Sequence, residues 1–122
     1  MTSTKQTGDN TEQLARLYLE QKGMIHVESN FSSSRGEIDL IMHDSDTLVF
    51  VEVRYRRSDR YGSPAETITR NKQNRIIRCA KFYCQKKNLD SAARFDVVSL
   101  NRVQSKMKIE WIPDAFQVSC MF

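Results

Sequence analysis

The sequence predicts a single α/β domain, a mixed five-stranded sheet flanked by helices in the order αβββαββ. Three observations carry this. Two segments show apolar residues at helical spacing, one before and one after a run of three short strands. The third of those strands is apolar on successive residues, as suits a strand covered on both faces. A helix then separates it from two further strands, and a strand–helix–strand crossover places strands three and four parallel and right-handed.

Residues 1–8 read as a disordered tail and 9–118 as the domain, with 119–122 as a C-terminal tail. Asp9-Asn10-Thr11-Glu12 supplies cap residues and a first-turn acid, Gly23 a stop, and Leu14, Leu17, Tyr18 and Gln21 fall at helical spacing between them. Met24–Phe31 alternates loosely as a first strand, and the polar turn Ser32–Gly36 leads to a second, Glu37–His43. Thr47–Tyr55 is the β-branched and aromatic third strand. Ser63-Pro64-Ala65-Glu66 has the form of a capping box with proline at the first helical position, so the second helix is expected to open there and end near Lys87-Asn88. Ile68, Ile76, Ala80 and Tyr83 form its inward stripe. Arg94–Leu100 is the fourth strand and Met107–Ile112 the fifth, ended by Pro113; Trp111 is expected in the core.

At 122 residues the chain is long enough to bury a core without the help of a disulfide or a metal. It is 39% hydrophobic and 28% charged, has no apolar run of membrane-spanning length and no secretory leader pattern, so a cytoplasmic protein away from the membrane is expected. Cys79, Cys84 and Cys120 make no Cys-x-x-Cys pair and read as free thiols. The net charge of +4 is unevenly spread: residues 1–53 hold four Lys/Arg against nine Asp/Glu, and residues 54–87 hold eleven against two. An acidic cluster followed by a basic stretch suggests a polyanion partner beside a carboxylate site, although a solvated basic helix face has the same composition.

The carboxylates themselves are more specific. On an ideal strand Glu37 and Asp39 share one face, with Ile38 and Leu40 on the other; Phe50, Glu52 and Arg54 share a face of the third strand. Glu52 interrupts an apolar strand, where an unpaired carboxylate costs several kcal/mol. A divalent cation held by Asp39, Glu52 and the Val53 carbonyl, Mg²⁺ or Mn²⁺ by its oxygen ligands, would compensate it. Such an ion suits phosphodiester cleavage, with Arg54 as the cation that stabilises developing charge. The plainer alternative is that Asp39 and Glu52 form structural ion pairs with Arg54 and Arg35.

Asp39, twelve intervening residues, then Glu52-Val53-Arg54 resembles the signature of the PD-(D/E)XK nuclease superfamily. Gly36-Glu37-Ile38-Asp39-Leu40-Ile41, Val49-Phe50-Val51-Glu52-Val53-Arg54, Lys72 and Arg94-Phe95-Asp96-Val97-Val98 together resemble the YraN family, itself similar to archaeal Holliday-junction resolvases. The resemblance spans residues 9–118. It implies a restriction-endonuclease-like core, adds Glu12 to the metal ligands, and suggests a homodimer, since a junction is cut at two places. The superfamily motif ends in Lys where this chain has Arg54, which stays protonated and cannot serve as a base. Lys72 could reach the site in its stead, a migration the superfamily permits, or act as a phosphate contact or surface residue.

The expected function is a Mg²⁺-dependent endonuclease on structured or branched DNA. Asp39, Glu52, Arg54 and Lys72 are the expected catalytic residues; Arg35, Arg56, Arg57, Arg70, Lys72 and Arg75 would bind the nucleic acid. A non-catalytic nucleic-acid-binding module of the same fold is the first alternative, motivated by Arg54. A protein-interaction domain is the second, motivated by the apolar tail Phe116–Phe122.

Overall fold

Two apolar faces on one sheet set the architecture. The computed structural model of the chain describes residues 4–56 and 68–117. The elements are α1 (Thr4–Gln21), β1 (Ile25–Ser33), β2 (Gly36–Asp44), β3 (Thr47–Arg56), α2 (Arg70–Lys86), β4 (Ala92–Val103) and β5 (Lys106–Phe116), the order expected from the sequence. The strands lie in the sheet as β1-β2-β3-β4-β5, antiparallel throughout except for β3 and β4, which run parallel across the α2 crossover.

β3 sits at the centre and is buried on both sides. Leu48 and Phe50 join the core beneath α2, with Ile38, Ile41, Ile76, Tyr83 and Phe95. Val49 and Val51 join the core beneath α1, with Ala15, Leu19, Leu40, Met42, Val98 and Leu100. The aromatic side chains Phe31, Phe50, Tyr83, Phe95 and Phe116 pack ring to ring across the first core, with centroids from 4.9 to 6.0 Å apart. Cys79 and Cys84 are free thiols on α2, the former buried; Cys120 lies outside the described residues.

Three boundaries depart furthest from the sequence reading. α1 begins at Thr4, ahead of the cap expected at Asp9; the threonines, Asp9 and Asn10 that crowd this stretch all suit a cap, so the sequence offers several starts. α2, as described, begins at Arg70, with Thr69 as its N-cap accepting the Lys72 N–H. The Ser63–Glu66 capping box lies outside the described residues, and Ile68 is buried just before the helix instead of within it. Pro113 does not end β5, which continues to a buried Phe116. β5 is an edge strand and Pro113 falls in the register shift between the Val97↔Ile112 and Phe95↔Phe116 pairs, where a missing N–H removes no ladder bond.

That shift is held by one buried charge. Asp96 is fully buried and accepts from Arg94 Nε at 3.0 Å and Nη2 at 3.2 Å, from Trp111 Nε1 at 3.0 Å and from the Asp114 N–H at 2.9 Å. Arg94 also pairs with Asp44 on β2 at 3.0 Å. Trp111 is thus half-buried against the α1 core with its ring nitrogen tied to β4.

Candidate metal-binding site

The ladder between β2 and β3 stops at Leu40↔Val51. The next residues outward, Asp39 and Glu52, do not pair as strand neighbours. Instead the Val53 N–H donates to Asp39 Oδ2 at 2.8 Å, so a side chain replaces a ladder bond where the strands splay. The N–H and C=O of one strand residue point to the same side, which turns the Val53 carbonyl toward Asp39 as well. Opposite, Asn30 on β1 takes a left-handed backbone, φ 56°, between the paired rows Ser29↔Leu40 and Phe31↔Ile38.

This irregularity corrects the alternation expected for β2. Ile38 joins the α2 core and Leu40 the α1 core, so they do not share a face. An ideal period of two holds only while the ladder holds, and Asp39 sits where it breaks. On β3 the alternation is kept: Phe50 faces α2 and Val51 faces α1, which directs Glu52 toward α2.

The two carboxylates are close enough to share a hydrogen bond. Asp39 is pushed up to about 9 from an ordinary 3.8, first by burial, then by the hydrogen bond and charge of Glu52, with a smaller push from Glu12; the Val53 N–H works in the other direction. Glu52 is 6% exposed. Among the described residues its Oε2 is met by Lys72 Nζ, 3.0 Å away as an ion-pair contact, and by no other hydrogen-bond donor. Neither Arg54 nor Arg35 pairs with these carboxylates among the described residues; Arg35 instead lies over the Phe82 ring at 4.6 Å.

Two adjoining carboxylates, one with a buried oxygen contacted by the Lys72 amine, and a backbone carbonyl turned to the same place suit a hard divalent cation that prefers oxygen ligands. Asp39, Glu52 and Val53 fit one. Glu12 lies near enough to act on Asp39 electrostatically. No group of three or more His, Cys, Asp or Glu side chains is arranged to hold a metal among the described residues, so water would have to complete the coordination.

The remaining expected residues are spread around this pair. Lys72 rises from the first turn of α2, and with Arg75, Glu37, Ser32 and Ser33 it lines a surface cleft of about 390 Å³ between α2 and the β1–β2 turn. That turn lies close to the helix: a Cβ on Gly36, whose φ is 150°, would meet the Arg75 carbonyl oxygen at 3.3 Å. Arg35 and Arg70 are exposed, and Arg54 is half-buried on the Glu52 face of β3. Arg56 is buried and so is not presented to a surface ligand. Arg57 lies outside the described residues.

Sequence reasoning missed the buried polar residues of β4. Ser99 and Asn101 pair in register with Arg54 and Arg56, and neither Ser99 Oγ nor Asn101 Oδ1 has a hydrogen-bond partner among the described residues. Their spacing of two on a strand parallel to β3 was the available signal.

A model of the Uncharacterised protein family UPF0102 matches residues 11–100, a span that includes Glu12, Asp39, Glu52 and Lys72. The chain belongs to the UPF0102 family. It is 47% identical to a UPF0102 protein of Syntrophus aciditrophicus over 98% of this chain and 94% of that one. A UPF0102 protein of Chromohalobacter salexigens is 45% identical over 93% and 92% of the two chains. The UPF0102 protein YraN of Escherichia coli is 46% identical over 93% of this chain and 86% of its own. The match to this UPF0102 member thus covers helix, site and sheet together.

Proposed function

We propose that this UPF0102 protein is a Mg²⁺- or Mn²⁺-dependent endonuclease that hydrolyses phosphodiesters in structured or branched DNA. The observation that carries the reading is the Asp39–Glu52 pair at the splay of β2 and β3, with a buried Glu52 oxygen that the amine of Lys72 contacts at 3.0 Å. The resemblance of Asp39 and Glu52-Val53-Arg54 to the PD-(D/E)XK signature supports the same reading.

Asp39, Glu52 and the Val53 carbonyl would hold the ion, and Glu12 would add negative charge to the same place. A bound divalent ion supplies charge neutralisation at the phosphate and a more acidic water. The chain's own groups do the rest. The Val53 N–H fixes the Asp39 carboxylate, and Lys72 Nζ, 3.0 Å from Glu52, donates to the phosphate or the attacking water. Arg54 stays charged and stabilises the charge that develops on the phosphate oxygens. Arg35, Arg70 and Arg75 meet neighbouring phosphates without reading sequence. The reading includes a homodimer, which would place two such sites on a junction.

Calorimetric titration of Mg²⁺ into the wild type and Asp39→Asn tests the ion site, and incubation with four-way junctions and flaps tests the reaction. Binding and cutting are expected in the wild type and absent in the variant; cutting unchanged in Asp39→Asn would refute the assignment. The second reading, a DNA-binding module without catalysis, is favoured by Arg54 in place of a lysine. It predicts salt-sensitive DNA binding that survives chelation and is unchanged in Asp39→Asn.

A further inference from the structure

The β4–β5 ladder stops at Phe95↔Phe116, short of the start of β4 at Ala92. On one side the Ala92–Arg94 stretch is paired, from Thr47↔Ala92 to Val49↔Arg94. On the β5 side no strand lies beside it among the described residues. This free edge borders a groove of about 670 Å³ between the end of α2 and the start of β4, lined by Lys81, Cys84, Gln85, Leu89 and Ala93 among others. Local backbone shapes the groove. Asn88 takes a left-handed φ of 55°, and the Leu89 N–H donates to the Cys84 carbonyl oxygen at 2.8 Å, so the chain folds back against the helix end. Leu89 is left 41% exposed and Cys84 half-buried. The last paired row carries Phe95 stacked on Phe116 at 5.1 Å, so the α2 core reaches the groove with its apolar side open.

The chain itself supplies an occupant. Gln117 is the last described residue, one past Phe116, and Val118-Ser119-Cys120-Met121-Phe122 follows it without a charged side chain. A ladder carried on from Phe95↔Phe116 would set residue 118 opposite Ala93 and residue 120 opposite Ser91. Strand side chains alternate faces, so Val118 and Cys120 would share the face of Phe116, which is buried in the α2 core. Ala93 shares the face of Phe95 and lines the groove with Cys84 of α2. At about 3.3 Å per residue, five extended residues span about 17 Å, enough to run past the whole free edge.

We propose that Val118–Phe122 continues β5 along the free edge of β4 and closes this groove, with Val118 beside Ala93 and Cys120 against Cys84. The backbone groups of the segment pair with those of Ala92–Arg94, as a peptide does when it adds to a sheet edge. The segment is this chain's own, because β5 delivers it in register, and a tethered strand has an effective concentration that a second copy must match. The proposal stands on the fold and is independent of the nuclease reading. Docking also makes Cys84 and Cys120 a thiol pair. A disulfide oxidant such as oxidised glutathione then forms one S–S bond between them, and their two electrons and two protons convert the oxidant to two thiols.

The test uses the full chain, wild type, Val118→Asp and Ser119→Asp. The first variant puts a carboxylate into the groove, and the second puts one on the opposite face of the strand. In the reduced proteins, hydrogen exchange should find residues 118–122 protected in the wild type and Ser119→Asp and unprotected in Val118→Asp. After treatment with oxidised glutathione, peptide mapping by mass spectrometry should find Cys84 joined to Cys120 within one molecule. Formation of that bond should slow about tenfold or more in Val118→Asp, as burying a carboxylate demands, and keep its wild-type rate in Ser119→Asp. Linkage between molecules that rises with protein concentration would put the segment on a second copy and overturn the proposal. Unprotected amides in the wild type, or no Cys84–Cys120 bond, would overturn it as well. So would a bond formed as readily in Val118→Asp, the sign of random encounter, or equal loss in both variants, which would deny the strand its alternation.

Discussion

Asp39 is a carboxyl whose surroundings favour its protonated form. Its proton is held by burial and by Glu52 until about pH 9, far above the ordinary 3.8. Between those values the folded chain binds a proton that the unfolded chain has released. Stability of the metal-free protein should therefore be full below about pH 4 and fall as pH rises toward 9. Melting curves across that range check it, and Asp39→Asn should remove the decline and melt higher than the wild type at pH 8. Added Mg²⁺ should raise the wild-type melting temperature most at alkaline pH, where the carboxylate gives up its proton to the ion. Lys72 is the second test at this scale. Its amine contacts the Glu52 oxygen that an ion would occupy, so Lys72→Met should bind Mg²⁺ at least as tightly as the wild type. Cutting should nevertheless fall by about 10²-fold or more, as for loss of a group that stabilises the transition state. Weaker ion binding in Lys72→Met would mean the amine organises the site instead of competing for it.

At the scale of elements, the sheet is pinned where its regularity fails. The Asp96 carboxylate joins β4 to the shifted end of β5, and Arg94 carries the tie on to β2. Asp96→Ala should cost about 3–5 kcal/mol, because it leaves a guanidinium and an indole N–H without their partner. Trp111 is the only tryptophan, so its fluorescence reports the loss directly in an unfolding titration. A cost below 1 kcal/mol would mean that water replaces the carboxylate. This tie also marks the limit of what was legible in the sequence. Element order, the buried centre strand and the parallel crossover follow from periodicity and connection length, and all are found. The register shift at Pro113 and the broken alternation at Asp39 depend on contacts between strands distant in sequence, which spacing along one strand does not record. For the candidate site, Glu52 stands out because it interrupts an apolar strand, whereas Lys72 entered only through the family resemblance, since the sequence placed the helix start at Ser63. Ser99 and Asn101 gain meaning only once β4 is laid beside β3.

For the whole molecule, charge decides how a polyanion is met. The acidic first 53 residues supply α1, β1, β2 and most of β3, while the basic stretch from residue 54 supplies α2. The carboxylate pair is thus bordered by Lys72 and Arg75 on one helix and by Arg35 on the turn packed against it. Counterion release converts that arrangement into a slope. Six phosphate contacts, the number of cations expected from sequence, would give about −5.4 for log affinity against log salt. The structure buries Arg56 and leaves Arg35, Arg70, Lys72 and Arg75 exposed, so these four together with Arg57, which lies outside the described residues, give about −4.5. Titrating flap DNA across salt concentrations with the metal chelated separates the two values. The double variant Arg35→Ala, Arg75→Ala should flatten the slope by about 1.8 if both side chains neutralise phosphates. A slope unmoved by that pair would shift the DNA path off the α2 cleft, and the helix would then be a solvated surface.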